Sequence, residues 1–179
     1  MSRTGRFIAL SSGKRWYLED PRAEEFDLEA AAFGLAHISR FTGQAGTYSV
    51  LTHQCHVADI CVQFGRPEYE LEALTHDVHE FAVGDMNSPL KSLCPDYQRI
   101  EAHNAAVVRA WFGLPAETSD YVTRADKMAG HDEGRVFVPD EYWSGPFSGL
   151  PLTFEDPEDA MERWLARVRR ARERTNAAE

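Results

Sequence analysis

The sequence predicts a mostly helical domain with a small β-hairpin at its front. Three observations carry that reading. From Asp27 onward apolar residues recur at spacings of three and four, the period of an amphipathic helix. Residues that cap, start and stop helices fall between those segments. Two short apolar and aromatic runs, RFIAL and RWYL, flank SSGK near the N-terminus and read as paired strands around a turn.

The hairpin is assigned to residues 1–20. SSGK is also a tempting phosphate loop, but the preceding glycine and the required spacing are absent. Asp27 caps the first helix, which carries Leu28, Ala31, Ala32, Leu35 and Ile38 and is expected to stop near Arg40. A second helix starts at Ser49 or Thr52 and runs through Val57, Ile60, Cys61 and Phe64 to Gly65; Pro67 then opens the next. That third helix holds Leu71, Leu74, Val78 and Phe81 on its apolar side and breaks at Gly84. A fourth follows Pro95-Asp96 and leads through Ile100, Asn104, Val107, Val108 and Trp111 to Gly113. Another begins between Pro115 and Ser119 and includes Tyr121, Val122, Ala125 and Met128. Residues 138–156, rich in proline, glycine and aromatics, read as a long irregular loop and a candidate lid. The last helix has acids first, Glu155-Asp156, and arginines later, Arg169-Arg170, which suits the helix dipole.

With 179 residues, 43% hydrophobic and 27% charged, the chain is expected to form one domain, residues 1–179, with a substantial core. The apolar run Phe7 to Leu10 is too short for a secretory segment, and no run approaches membrane-spanning length, so the expectation is a cytoplasmic protein. Cys55, Cys61 and Cys94 form no C-x-x-C pair and read as reduced thiols. A formal charge of -10 argues against stable nucleic-acid binding, which needs a basic stripe.

The chemistry concentrates in HDVHEFAVGDMNSPLK, residues 76–91. On a helix turned by about 100° per residue, Glu80 projects between the directions of His76 and Asp77, one turn along, while His79 falls outside that sector. The arrangement suits two adjacent metal ligands with a carboxylate beside the open positions. A solvated polar face is the alternative for an isolated His-Asp pair. His53, early in the second helix, and Asp126, an acid among the apolar positions Val122 and Met128, complete a mixed nitrogen and oxygen donor set. Such a set suits one divalent ion: Mn, Co, Fe, Zn or Mg. His56 lies three residues beyond His53 and competes with it for the same ion. His37, His103 and His131 have no comparable partners, and Asp132 and Glu133 read as a solvated helix end.

The ordered set His53, His76-Asp77 and Asp126, with YSVLTH, GDMNSPLK and RAD around it, resembles the HD superfamily of metal-dependent phosphohydrolases. The closer likeness is to bacterial 5'-deoxynucleotidases and phage dATP triphosphohydrolases, and SSGKRWYLEDP and AHISRFTGQAGTYSVLTH at the front share it. The resemblance implies an all-α HD-domain bundle around one metal ion, assembled as a dimer or larger, in a bacterial cytoplasm or a phage-infected one. It implies ligation by His53, His76, Asp77 and Asp126, with Glu80 as the acid or base. Arg40 would hold the phosphate, and Phe41, where many relatives have tryptophan, would touch base or sugar. Asp85 would accept a bond from the sugar 3'-hydroxyl; a loop-capping aspartate is its other reading. Lys91 is either a substrate contact or a solvated first-turn lysine.

The activity so implied is hydrolysis of the 5'-phosphate ester of a deoxynucleotide, a triphosphate such as dATP, giving deoxynucleoside and tripolyphosphate. The alternative is a 5'-deoxynucleotidase acting on monophosphates. A cyclic-dinucleotide phosphodiesterase is disfavoured because the further ligands and GYP motif of that branch are absent. The rival of another class is a non-catalytic nucleotide-binding HD module.

Overall fold

A computed structural model describes residues 4–138 and 143–178. Strands β1 (Phe7–Ala9) and β2 (Arg15–Tyr17) pair antiparallel, with Ile8 opposite Trp16, and the turn Leu10 to Lys14 joins them. The α-helices that follow are α1 (Leu28–Ala36), α2 (Val50–Gln63), α3 (Glu70–Thr75), α4 (Glu80–Val83), α5 (Ser88–Lys91), α6 (Pro95–Trp111), α7 (Asp120–Phe137) and α8 (Pro157–Ala178). Among the described residues no helix is long and apolar enough to cross a membrane.

Local chemistry sets the helix starts. The side chains of Asp27, Ser49 and Ser119 accept bonds from Ala30 N, Thr52 N and Val122 N, each satisfying a donor that the first turn leaves open. Pro95 sits in the first turn of α6, where its missing N–H removes nothing. Gly65 and Gly84 take positive φ, 73° and 82°, where the chain leaves a helix.

Helix α2 is the axis of the molecule. It packs against α1, α3, α7 and α8, and every residue from Val50 to Ala58 is buried. A helix buried all round places even polar side chains in the interior, so His53 and Gln54 are fully covered. Trp164 of α8 fills the space between α2 and α3; its Nε1 donates to Gln54 Oε1 at 2.9 Å and to the Leu74 carbonyl at 2.8 Å. Trp16 anchors the hairpin in the same core by donating to Asn104 Oδ1 of α6 at 2.6 Å. Burial pushes the Cys55 thiol up to about 11 and the Cys61 thiol up to about 12, which favours the neutral thiol in both.

The fold departs from the sequence reading at identifiable places. Helix α1 ends at Ala36 rather than near Arg40, because Ile38 and Arg40 are drawn into backbone bonds with Val50 and Tyr48 around a Ser39–Ser49 bridge. The expected helix through His76 and Asp77 is broken: after Thr75 the backbone bonds switch to i→i−3, as in Val78 N to Thr75 O and Glu80 N to Asp77 O, before α4 resumes. The 100° rotation argument therefore does not apply across His76 to Glu80. Ser88–Lys91, to which the sequence reading assigned no element, forms the short helix α5, with Asn87 capping Leu90 N. The expected irregular loop is irregular at residues 143–156; Pro139 to Tyr142 lie outside the described residues.

One buried ion pair ties α3 to the α6–α7 junction. Glu72 accepts bonds from Arg109 Nη2 (2.8 Å), Ser119 N (2.8 Å) and Ser119 Oγ (2.7 Å). Burial opposes its ionisation, but the Ser119 and Arg109 donors win and lower its pKa. A depressed carboxyl pKa contributes stability above the unfolded value and loses it as pH falls through the folded value. Glu72→Ala is expected to cost about 3–5 kcal/mol, since it strands a buried arginine. Glu72→Gln should flatten part of the acid limb of stability, both measured by denaturant unfolding across pH.

Candidate metal centre

Helix α2 supplies His53, the tight turn after α3 supplies His76 and Asp77, and α7 supplies Asp126. One donor atom from each lies within 4.8 Å of the others. Both histidines are buried, and their rings are 5.3 Å apart. His53 Nδ1 lies 2.6 Å from Glu133 Oε1, and His76 Nδ1 lies 2.8 Å from the Ala73 carbonyl. Those acceptors put the proton on each Nδ1 and turn each Nε2 lone pair inward.

Each inward nitrogen meets a carboxylate. His53 Nε2 is 3.1 Å from Asp126 Oδ1, and His76 Nε2 is 3.0 Å from Asp77 Oδ2. Neither contact has hydrogen-bond geometry, so both buried nitrogens are without a partner among the described residues. Two lone pairs and two anionic oxygens thus face a common centre, an arrangement that a cation relieves. The donor set fits a divalent metal ion held by His53, His76, Asp77 and Asp126. Against burial, Glu133 and Asp126 raise His53, and Asp77 and Asp126 raise His76 well above the ordinary histidine value. Against the same burial, His76 lowers Asp77, and His53 and His76 hold Asp126 well below the carboxylate range.

The supports around these ligands include residues that the sequence reading placed in solvent. Glu133 is 0% exposed. Its Oε1 takes His53 Nδ1 and a bond from Tyr48 Oη at 3.1 Å, and its Oε2 takes Arg40 Nε at 3.4 Å. Burial and the Glu133 charge raise the Tyr48 pKa, keeping the phenol a donor. Glu133 lies seven residues after Asp126, two turns along one face of α7, and that spacing was the available signal. Asp132 is also buried: it holds His56 Nε2 at 2.9 Å and accepts from Ser148 N and Oγ. His56 is therefore engaged away from the cluster, and His53 is the histidine of α2 that joins it.

Glu80 is 3% exposed and its Oε2 has no partner among the described residues. Burial first, then the charges of Asp77 and Asp85, raise its carboxyl well above the ordinary range. His79 stands outside the cluster, 3.9 Å from Glu101. Arg40 is not a surface arginine: Nη1 donates to Asp85 Oδ2 at 2.9 Å, and its side chain is 15% exposed. Burial disfavours its charge, yet Glu133 and Asp85 outweigh that and raise its pKa.

Arg40, Phe41, Asp85 and Asp126 line one cavity of about 610 Å³, together with Asn87, His131 and Trp143. That volume falls within the usual range for small-ligand sites. Lys91 is outside this lining. It ends the single turn of α5, is partly exposed, and donates to Glu101 Oε1 at 2.7 Å.

No protein-family model matches the chain. It is 35% identical over 150 residues to the uncharacterized protein YfdR of Escherichia coli K12, spanning 82% of each chain. The chain belongs to the YfdR family. The uncharacterized protein RCAP_rcc00048 of Rhodobacter capsulatus is 34% identical to it over 132 residues, 70% of this chain and 67% of the relative. The helical frame and the His/Asp cluster of this YfdR-family chain are consistent with an HD-type site.

Because Glu133 fixes the tautomer and the orientation of His53, Glu133→Gln is expected to lower divalent-metal affinity about 10–100-fold without unfolding the protein. Calorimetric titration with Mn(II), alongside far-UV circular dichroism, measures both.

Proposed function

We propose that the chain is a divalent-metal phosphohydrolase that cleaves the 5'-phosphate ester of deoxynucleotides. The observation that carries this reading is the meeting of four possible ligand atoms near a buried carboxyl, with Asp126 of that cluster and the caged Arg40 both in the wall of a cavity of nucleotide-compatible volume. When bound, the divalent ion supplies Lewis acidity towards a phosphate oxygen and lowers the pKa of water.

The chain's own groups do the positioning. Arg40 is held at Nε and Nη1 by Glu133 and Asp85, which leaves Nη2 for a phosphate oxygen. A guanidinium already oriented by two carboxylates binds an anion without reorganising, and phosphoryl transfer depends chiefly on such positioning and charge stabilisation. Burial and the charges of Asp77 and Asp85 favour the protonated form of Glu80, and its Oε2, without a hydrogen-bond partner among the described residues, is the atom that passes or takes a proton. Asp85 uses Oδ2 for Arg40, so Oδ1 serves the sugar 3'-hydroxyl. Phe41 faces the same cavity as the base or sugar contact.

The favoured substrate is a deoxynucleoside triphosphate, dATP among them, because the front of the chain resembles the phage enzymes. Deoxynucleoside monophosphates are the second substrate class, since the same ester bond is broken in both. Dimers or larger assemblies and a cytoplasmic location belong to the same proposal. Lys91, paired with Glu101, acts on substrate only through the field it adds near Glu80.

A screen of deoxynucleoside mono-, di- and triphosphates with Mn(II) and Co(II) should give turnover, with tripolyphosphate released from dATP; orthophosphate from monophosphates alone would select the second class. No turnover with any nucleotide would leave a non-catalytic binding module. Glu80→Ala should keep its metal and lose about 100-fold or more in kcat, which atomic absorption and steady-state kinetics check together.

A further inference from the structure

Residues 143–148 form a strap along α7, and the phosphohydrolase reading gives the strap no task. Helix α7 fastens it at several points. His131 Nδ1 meets the Pro146 carbonyl at 2.8 Å, Asp132 accepts from Ser148 N at 3.0 Å, and Arg135 Nε donates to the Trp143 carbonyl at 3.1 Å. The Arg135 guanidinium also lies over the Phe147 ring at 3.8 Å. Two glycines make the fit possible. A Cβ on Gly134 would fall 2.2 Å from the Trp143 indole, and a Cβ on Gly145 would fall 1.9 Å from the His131 ring. Helix α7 is thus notched at Gly134 to seat the indole.

That seat places Trp143 in the wall of the cavity that Arg40 and Asp126 also line. There its ring meets Phe41 at 5.6 Å and 83°, forming an aromatic corner. Phe41 and Thr42 hold φ of 54° and 55°, a left-handed backbone that residues with side chains rarely adopt. The chain therefore keeps Phe41 in this corner against its backbone preference. A corner of two rings suits a flat heterocycle, stacked on one ring with its edge towards the other.

We infer that Trp143, seated by Gly134 and cornered by Phe41, is the residue that recognises the nucleobase, and that it does so by stacking. The inference rests on the nucleotide reading of the cavity and adds a base end to the phosphate end marked by Arg40. Stacking grows with ring area, so purines gain more than pyrimidines.

The test compares binding of dAMP and of base-free 2-deoxyribose 5-phosphate to the Mn(II)-loaded protein by calorimetry, with Glu80→Ala present throughout so that neither ester is hydrolysed during the titration. The parent protein, with Trp143 intact, is expected to prefer dAMP. Trp143→Ala should weaken dAMP by about 5- to 150-fold, the range that base–aromatic stacking spans, and leave the sugar phosphate unchanged. Trp143→Phe should retain most of the preference. Gly134→Ala keeps the tryptophan but fills its notch, and should behave like Trp143→Ala. Equal weakening of both ligands, unchanged dAMP binding in a folded Trp143→Ala protein, or a parent protein that does not distinguish the ligands would overturn the inference. A Trp143-dependent preference without nucleotide turnover by the wild type would support it while removing the catalytic reading.

Discussion

Two imidazole nitrogens buried without a hydrogen-bond partner among the described residues, each about 3 Å from a carboxylate oxygen, are costly for a domain of this size. A buried polar atom left unsatisfied costs about 1–3 kcal/mol, more when charge is involved, against a net stability of about 5–15 kcal/mol. The surrounding structure holds this strained electrostatic arrangement in place. Glu133 and the Ala73 carbonyl fix the two rings, and Tyr48 and Arg40 satisfy the rest of Glu133. Asp85 then takes the other side of Arg40, which carries the order out to the cavity. A single chain of contacts links the His/Asp cluster to the cavity wall at Arg40 and Asp85.

Much of this was legible in the sequence because it is local. The hairpin, the caps Asp27 and Ser49, the proline starts and the glycine stops are written within a few residues of where they act, and they agree with the structure to within a turn. The four residues that could hold a metal ion were legible from their types and order. What was not legible depends on distant partners. Helix α1 stops early because Tyr48 and Val50 capture the backbone of Arg40 and Ile38. The break after Thr75 cannot be told from the apolar period, since Val78 and Phe81 stay buried in either geometry. Asp132 and Glu133 look solvated when only their neighbours are read, but the length of α7 and its packing on α2 bury both.

The two faces of α7 divide the labour of the molecule. Asp126 and Glu133 face α2 and the ligand cluster, while His131, Asp132 and Arg135 hold the strap that carries Trp143. His56 of α2 reaches Asp132, so the axis helix braces both the centre and the strap. A change in the α2–α7 contact would be felt at both ends of the cavity, a coupling that no single residue type announces.

The central claim is that His53, His76, Asp77 and Asp126 together hold one divalent ion. Titration with Co(II), followed by its visible absorption, tests it most directly because the bands report ligand number and type. The account predicts saturation at one equivalent per chain in the wild type, and loss of the bands in Asp126→Ala with the fold retained. Absence of saturable Co(II) binding, or an unchanged spectrum in Asp126→Ala, would contradict it.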